Sequence, residues 1–361
     1  MRKYNFSAGP SMLPLEVLER VQSQLLDYEG SGMSVMEMSH RSKPYDAINN
    51  EAEALLRELM NVPENYDIIF VQGGASTQFE AIPLNLAHNS TSAKGDYIIS
   101  GNFSNKAFKE AQKYGDMVAV ASSKDKNFSY IPTTSPDMFR KDADYVHICY
   151  NNTIFGSRYI DIPDTNGIPL VADMSSMILS QEVDVSKFGV IYAGAQKNVG
   201  PAGVTIVIVR KDLQDLANPF CPTMLKWKTQ IDEKSLYNTP PCFSTYVALE
   251  VFRYLKKMGG VKAMQKINEE KAQMLYDYID NSKLYTNPIE KKYRSLMNVP
   301  FVTTSPELDA KFVKEAGEAG LVSIKGHRLV GGMRASIYNA MPVDGVKALI
   351  DFMKKFEQEN L

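Results

Sequence analysis

The chain has 361 residues, 44% of them hydrophobic and 23% charged, with a formal net charge of −2 and three cysteines. That composition describes a soluble globular protein of two or three domains, or one large domain with an appendage. It excludes a basic nucleic-acid-binding stripe. Cys149, Cys221 and Cys242 are few, odd in number and far apart, with no CxxC pair, so neither a disulfide framework nor a metal site is expected.

Residues 1–20 carry Asn5, Ser7, Pro10 and Pro14 and no unbroken apolar core, so they do not read as a signal peptide. Nowhere does an uncharged apolar run approach the about 18 residues of a membrane span. A cytoplasmic location and no membrane partner are expected. Two helices come first. The stretch 14–30 is opened by a proline and closed by a glycine, and 44–60 puts Ile48, Ala52, Leu55, Leu56 and Leu59 on one face. Short, nearly continuous apolar runs follow at 66–72, 96–100, 116–122, 144–150, 168–173, 189–194 and 204–210. Such runs suit strands buried on both faces, and amphipathic segments such as 104–115 lie between several of them. The rhythm predicts an α/β fold with a mostly parallel, seven-stranded sheet flanked by helices. After residue 243 come long helices over 244–260 and 261–280, then alternating short strands and helices to the end. Together they predict an arm at 1–15, a large domain at 16–259 and a small α+β domain at 260–361.

Three features of the large domain carry chemistry. Lys197 sits in "GAQKNVGPAG" (194–203) among small residues that let a flat ring approach the backbone. A lysine desolvated in such a pocket has a lowered pKa and attacks carbonyls, although an arbitrary lysine in a turn is far more often a surface residue. Asp173 ends the run 168–173, 24 residues before Lys197. An isolated aspartate there is commonly a helix N-cap. One strand-crossover-strand unit before a lysine, it shares with that lysine the rim where α/β sheets bind ligands. This is the pairing that pyridoxal phosphate (PLP) needs: an amine for the aldehyde and a carboxylate that keeps the pyridine nitrogen protonated. "FVQGGASTQFEAI" (70–82) runs from strand through Gly-Gly into a helix, where free N–H groups at Ala75 and Ser76 suit a phosphate. It also suits a plain strand-to-helix turn. Phe103, just past a strand, offers either a stacking face for a cofactor ring or ordinary core packing.

"NFSAGPSMLP" (5–14), "MEMSHRS" (36–42), "QGGAS", "GAQKNVGPAG" and "GHRLVGGMRASIYNA" (326–340) together resemble the phosphoserine aminotransferases, in the class V branch of the fold type I PLP enzymes. The resemblance runs nearly end to end. It implies that Lys197 binds the cofactor covalently and that Asp173 faces its ring nitrogen. It also implies that Ala75, Ser76, Phe103, Thr153 and Gln196 contact the cofactor. Asn238 and Thr239 would reach its phosphate from the second subunit of a homodimer with sites at the interface. Arg334 would take the substrate α-carboxylate; His40, Arg41, His327 and Arg328 would hold the distal phosphate or carboxylate. Where the family often has tryptophan as the stacking residue, Phe103 stands here. The implied reaction moves an amino group between glutamate and 3-phosphohydroxypyruvate in serine biosynthesis, with a possible counterpart in vitamin B6 synthesis on 4-phosphohydroxy-threonine. Rival readings are an alanine–glyoxylate aminotransferase, a cysteine desulfurase using Cys221, or a non-catalytic phosphate-ligand binder.

Overall fold

Residues 2–361 are described by a computed structural model. In chain order the elements are β1 (Tyr4–Asn5), α1 (Leu15–Ser23), α2 (Lys43–Met60), β2 (Tyr66–Val71), α3 (Gly74–Asn85), β3 (Ala93–Ile99), α4 (Asn102–Ala111), β4 (Gly115–Ser122), β5 (Tyr145–Cys149), β6 (Leu170–Asp173), β7 (Val190–Gly194) and β8 (Thr205–Arg210). Then follow α5 (Trp227–Asp232), α6 (Cys242–Lys257), α7 (Gly260–Asn281), β9 (Asn298–Phe301), α8 (Pro306–Glu318), β10 (Leu321–Val322), β11 (Met333–Ser336) and α9 (Val343–Asn360).

The seven apolar runs each form a strand, and together they make one sheet in the order β2-β8-β7-β6-β5-β3-β4. Only β8 runs against its neighbours; every other pairing in the sheet is parallel. The central strands β5 and β6 are buried along their whole length, which explains why they read as continuous rather than alternating runs. One face of the sheet packs under α2 and α6, the other under α3 and α4. Because the strands run together, their C-terminal ends gather at one edge, where open α/β sheets present ligand sites.

A separate core is built from α7, α8 and α9 around β9 and β11. The N-terminal arm joins it. Tyr4 and Asn5 pair in parallel with Leu321 and Val322, and Phe6 is fully buried there. Sequence spacing carries no sign of this pairing, because its two strands lie more than three hundred residues apart.

The first helix is shorter than its apolar spacing predicts: α1 stops at Ser23, seven residues before Gly30. Tyr28 must turn inward to meet the Tyr246 ring edge-on at 5.3 Å, and the turn that achieves this leaves Leu26 exposed. Gly30 and Gly32, at φ +78° and +74°, complete the reversal. Here tertiary packing overrides helical periodicity.

Candidate functional site

A cavity of about 500 Å³ opens at the C-terminal edge of the sheet. Its floor comes from strand ends: Cys149 from β5, Asp173 from β6, Gly194 to Lys197 after β7. Gly73 to Ser76 at the start of α3, Phe103 in α4, Thr153, and His327 and Arg334 from the C-terminal core complete the wall.

Lys197 projects into this space from the turn after β7. Its Nζ donates to Thr153 Oγ1 at 2.9 Å and stands 5.5 Å from the centre of the Phe103 ring. Desolvation lowers its pKa below the ordinary lysine value, Arg334 adds to the effect, and Asp173 opposes it. An amine so placed is neutral over more of the pH range and is therefore nucleophilic. The arm packs on its stem: a Cβ on Gly9 (φ +144°) would lie 3.4 Å from Lys197 Cγ. Ser11 locks the same turn, donating from its Oγ to Lys197 O at 2.5 Å.

Asp173 is buried, and burial pushes its carboxyl pKa up, against the pull of Lys197 and of hydrogen bonds from Ser175. Its Oδ1 accepts from Ser175 N at 2.9 Å and from Ser175 Oγ at 2.6 Å. These bonds fix its rotamer and face the carboxylate across the cavity floor. Neighbouring strand residues back it: Tyr192 lies in register with Asp173, and His147 Nε2 is 2.9 Å from the Tyr192 hydroxyl.

The turn into α3 is forced by two glycines. Gly73 and Gly74 have φ +94° and +68°, and a Cβ on Gly73 would fall 1.9 Å from Thr77 Oγ1. The helix thus begins abruptly, with the first-turn N–H groups of Ala75 and Ser76 at the cavity edge and outside the helical hydrogen-bond ladder. Gln196 lies opposite, on the wall beside Lys197.

Arg334 reaches in from β11. Its Nη1 donates to Thr153 O at 3.4 Å, and its Nε is buried with no partner. His327 Nδ1 accepts from Leu329 N at 3.2 Å, which leaves Nε2 as the ring's N–H. Desolvation, then Arg334, Arg328 and Lys106, lower its pKa, which favours the neutral ring.

Ala75, Ser76, Phe103, Thr153, Asp173, Gln196, Lys197, His327 and Arg334 therefore meet in one cavity. The remaining expected residues do not join them within this chain. Arg328 is exposed beyond the rim. His40 and Arg41 line a separate shallow pocket of about 420 Å³ with Lys43, Asp46 and Glu233. Asn238 and Thr239 lie on a loop behind the phosphate turn, where Gln72 Nε2 donates to Thr239 O at 3.0 Å.

Residues 3–349 match the family described as Aminotransferase class-V. The phosphoserine aminotransferase of a Bacillus cereus strain is 56% identical over 359 residues, 99% of each chain. The chain belongs to the phosphoserine aminotransferases. The solved phosphoserine aminotransferase from Bacillus circulans subsp. alkalophilus superposes with a TM-score of 0.96 at 45% identity, over 100% of this chain and 99% of that one. A PLP-bound phosphoserine aminotransferase from Trichomonas vaginalis gives 0.92 at 41% identity, over 98% and 100%.

Sequence reasoning missed several residues of this aminotransferase's cavity. Ala8 and Gly9 come from the arm, and Asn151 and Ser176 flank Thr153 and Asp173. Ala8 and Gly9 sit inside a quoted motif, and Asn151 is two residues from Thr153. What hid them was the fold, because only the pairing of the arm with the C-terminal core brings Gly9 onto Lys197. The desulfurase reading is not favoured: Cys221 is not among the cavity's lining residues, and burial raises its thiol pKa to about 11.

Proposed function

We propose that this PLP-dependent transaminase transfers an amino group between glutamate and 3-phosphohydroxypyruvate, yielding 2-oxoglutarate and O-phospho-L-serine. The observation that carries this reading is the meeting, in one cavity, of a desolvated Lys197, a buried Asp173 and Arg334 with an unpartnered Nε.

The cavity fits the cofactor. Asp173 is a buried carboxylate whose pKa burial raises despite the pull of Lys197, and a protonated ring nitrogen would give its ionised form a direct partner. The N–H groups of Ala75 and Ser76 at the α3 terminus suit its phosphate. Phe103 offers a face for the ring, 5.5 Å from the lysine nitrogen. When bound, the cofactor supplies an electron sink for the carbanion that forms at the substrate Cα.

The protein's own groups do the rest. With the cofactor bound and its amine freed, Lys197 would act as the general base that takes the substrate Cα proton and the acid that delivers it to the carbon on the far side of the reacting nitrogen. Its lowered pKa favours the unprotonated form that this task needs. Arg334 holds the α-carboxylate as a fork, its free Nε being one of the donors. His327 and Arg328, with His40 and Arg41 of a second copy of the chain, meet the distal phosphate or carboxylate. Asn238 and Thr239 of that copy meet the cofactor phosphate. A homodimer is supported by apolar residues left exposed on the segments beside these groups: Met36 at 60%, Phe220 at 79%, Met224 at 47% and Tyr237 at 43%. The same cations suit the phosphorylated threonine analogue of vitamin B6 synthesis. The unpaired cysteines accord with a cytoplasmic location.

Half-reaction rates with phosphoserine, serine and alanine test the substrate class. Phosphoserine should exceed the other two by about two orders of magnitude or more, since a site built for a charged group rejects analogues lacking it. Equal rates would refute the assignment.

A further inference from the structure

The two anchors of an α-amino acid substrate stand on different cores. Lys197 belongs to the seven-stranded sheet, whereas Arg334 stands on β11 in the C-terminal core. A substrate's carboxylate and its reacting nitrogen are separated by a fixed two-bond span. The spacing between Arg334 and Lys197 must therefore be held to fractions of an ångström for the reaction to proceed.

A row of buried amides and hydroxyls crosses the junction between these cores. Asn151, in the segment that also carries Thr153, donates from Nδ2 to Ser176 Oγ at 2.8 Å and to Asn298 Oδ1 at 2.9 Å. Asn151 Oδ1 accepts from Ser295 Oγ at 2.6 Å. Asn298, on β9, donates from Nδ2 to Ser336 Oγ at 3.0 Å and to Tyr338 OH at 3.1 Å. Tyr338 in turn donates to Ala8 O at 2.7 Å. Both hydrogens of each amide are used, and the donor-to-acceptor direction runs one way, from Asn151 through Asn298 and Tyr338 to the arm. Asn298 and Ser295 have no exposed surface. A buried polar row satisfied in this manner specifies one geometry, because any shift leaves a desolvated group unpaired.

Its endpoints bear on the site. Ser336 is two residues from Arg334 on the same strand, and lies in register with Asn298. Thr153, two residues from Asn151, contacts both anchors: its Oγ1 accepts from Lys197 Nζ and its carbonyl from Arg334 Nη1. Asn298 itself is not among the cavity's lining residues.

We propose that Asn298 is a positioning residue for transamination. It fixes the distance between the Arg334 fork and the segment 151–153 that holds Lys197, and so governs carboxylate recognition without touching substrate. This rests on Arg334 being the α-carboxylate group.

The test uses the PLP-loaded enzyme and three substitutions of graded severity: Asn298→Ala, Ser336→Ala and Tyr338→Phe. For each, KM and kcat with glutamate and phosphoserine, PLP affinity by visible-absorbance titration, and thermal stability are measured, alone and with Arg334→Ala. Asn298→Ala should raise both KM values about tenfold, with PLP affinity held within about twofold, and the increase should largely vanish when Arg334 is already gone. Ser336→Ala and Tyr338→Phe should move KM the same way by about two- to threefold, and they decide the matter if Asn298→Ala does not fold. Lowered thermal stability with unchanged KM in the folded variants would make the row merely structural and overturn the proposal. So would KM increases that multiply in full with that of Arg334→Ala. An Arg334→Ala enzyme with unchanged KM would remove the reading of Arg334 itself, and this inference with it; a raised KM there with silent Ser336, Tyr338 and Asn298 variants would remove this inference alone.

Discussion

The two ends of the proposed site are built on opposite plans. Around Lys197 one chain brings together a lysine and an aspartate on adjacent strand ends, a glycine-forced helix start, and an arginine held on Thr153. Burial there shifts the lysine and the aspartate pKa toward their neutral forms, so this end is chemically poised before substrate arrives. At 40–41 and 238–239 the side chains lie outside that cavity, on surfaces flanked by exposed apolar residues. In the proposed function the first end makes bonds, and the second would bring, from another copy of the chain, His40 and Arg41 to the distal substrate anion and Asn238 and Thr239 to the cofactor phosphate.

The contrast breaks most directly by mutation at the poised end. Lys197→Ala should lower single-turnover transamination by at least about a thousandfold while retaining part of the PLP affinity, measured by rapid-mixing absorbance. A comparable rate would remove the lysine from the reaction. Next, two inactive variants, Lys197→Ala and Arg41→Ala, unfolded and refolded together, should regain about a quarter of wild-type activity. Half of the dimers are then hybrids carrying one intact site. No recovery would place the His40–Arg41 pair in the same chain's site.

Smaller effects sharpen the picture of what lies behind each end. Lys271 on α7 is fully buried and donates to the carbonyls of Ile337, Tyr338 and Met341 at 3.0, 2.8 and 3.0 Å. Burial brings its pKa down to about 7, yet three carbonyls match the three donors of the ammonium. Lys271→Met should cost about 3 kcal/mol of stability in a denaturant titration, through orphaned carbonyls beyond the Arg334 strand. Behind Asp173, burial lowers His147 to about 3, below its ordinary 6.5, and its ring stacks 4.8 Å from Tyr97. Between pH 6.5 and 3 the unfolded chain binds a proton that the folded chain refuses, so stability rises with pH across that window and falls as the solution is acidified. His147→Phe should keep the stack and flatten that slope by up to one proton, as read by urea midpoints across the window. An unchanged slope would mean that the buried imidazole is not a source of acid sensitivity.

What could be read from the sequence follows the same division. All seven sheet strands were legible as short apolar runs, β5 and β6 because they are buried along their whole length, and β4, which is largely not buried, through its run from Met117 to Ala121. Asp173, Lys197 and the Gly73-Gly74 turn were legible for a related reason: each is a local break at a strand end, and parallel topology then brings strand ends together. The first helix was read too long because Tyr28 answers to Tyr246, a partner far along the chain. Asn151, Asn298 and Ser336 were invisible, since asparagine and serine carry no periodic signal and their meaning lies wholly in one another. The arm's pairing with β10 was hidden in the same way. His40, Arg41, Asn238 and Thr239 were singled out through family resemblance alone, and no local pattern would have linked them.

The central claim is that the amine of Lys197 is the one joined to the cofactor. Borohydride reduction of the yellow PLP-loaded protein, followed by proteolysis and mass mapping, tests it directly. The account predicts a single reduced pyridoxyl adduct, on the peptide containing Lys197. An adduct on another lysine, such as Lys106 beside Phe103, or a protein that stays colourless when PLP is supplied, would contradict it.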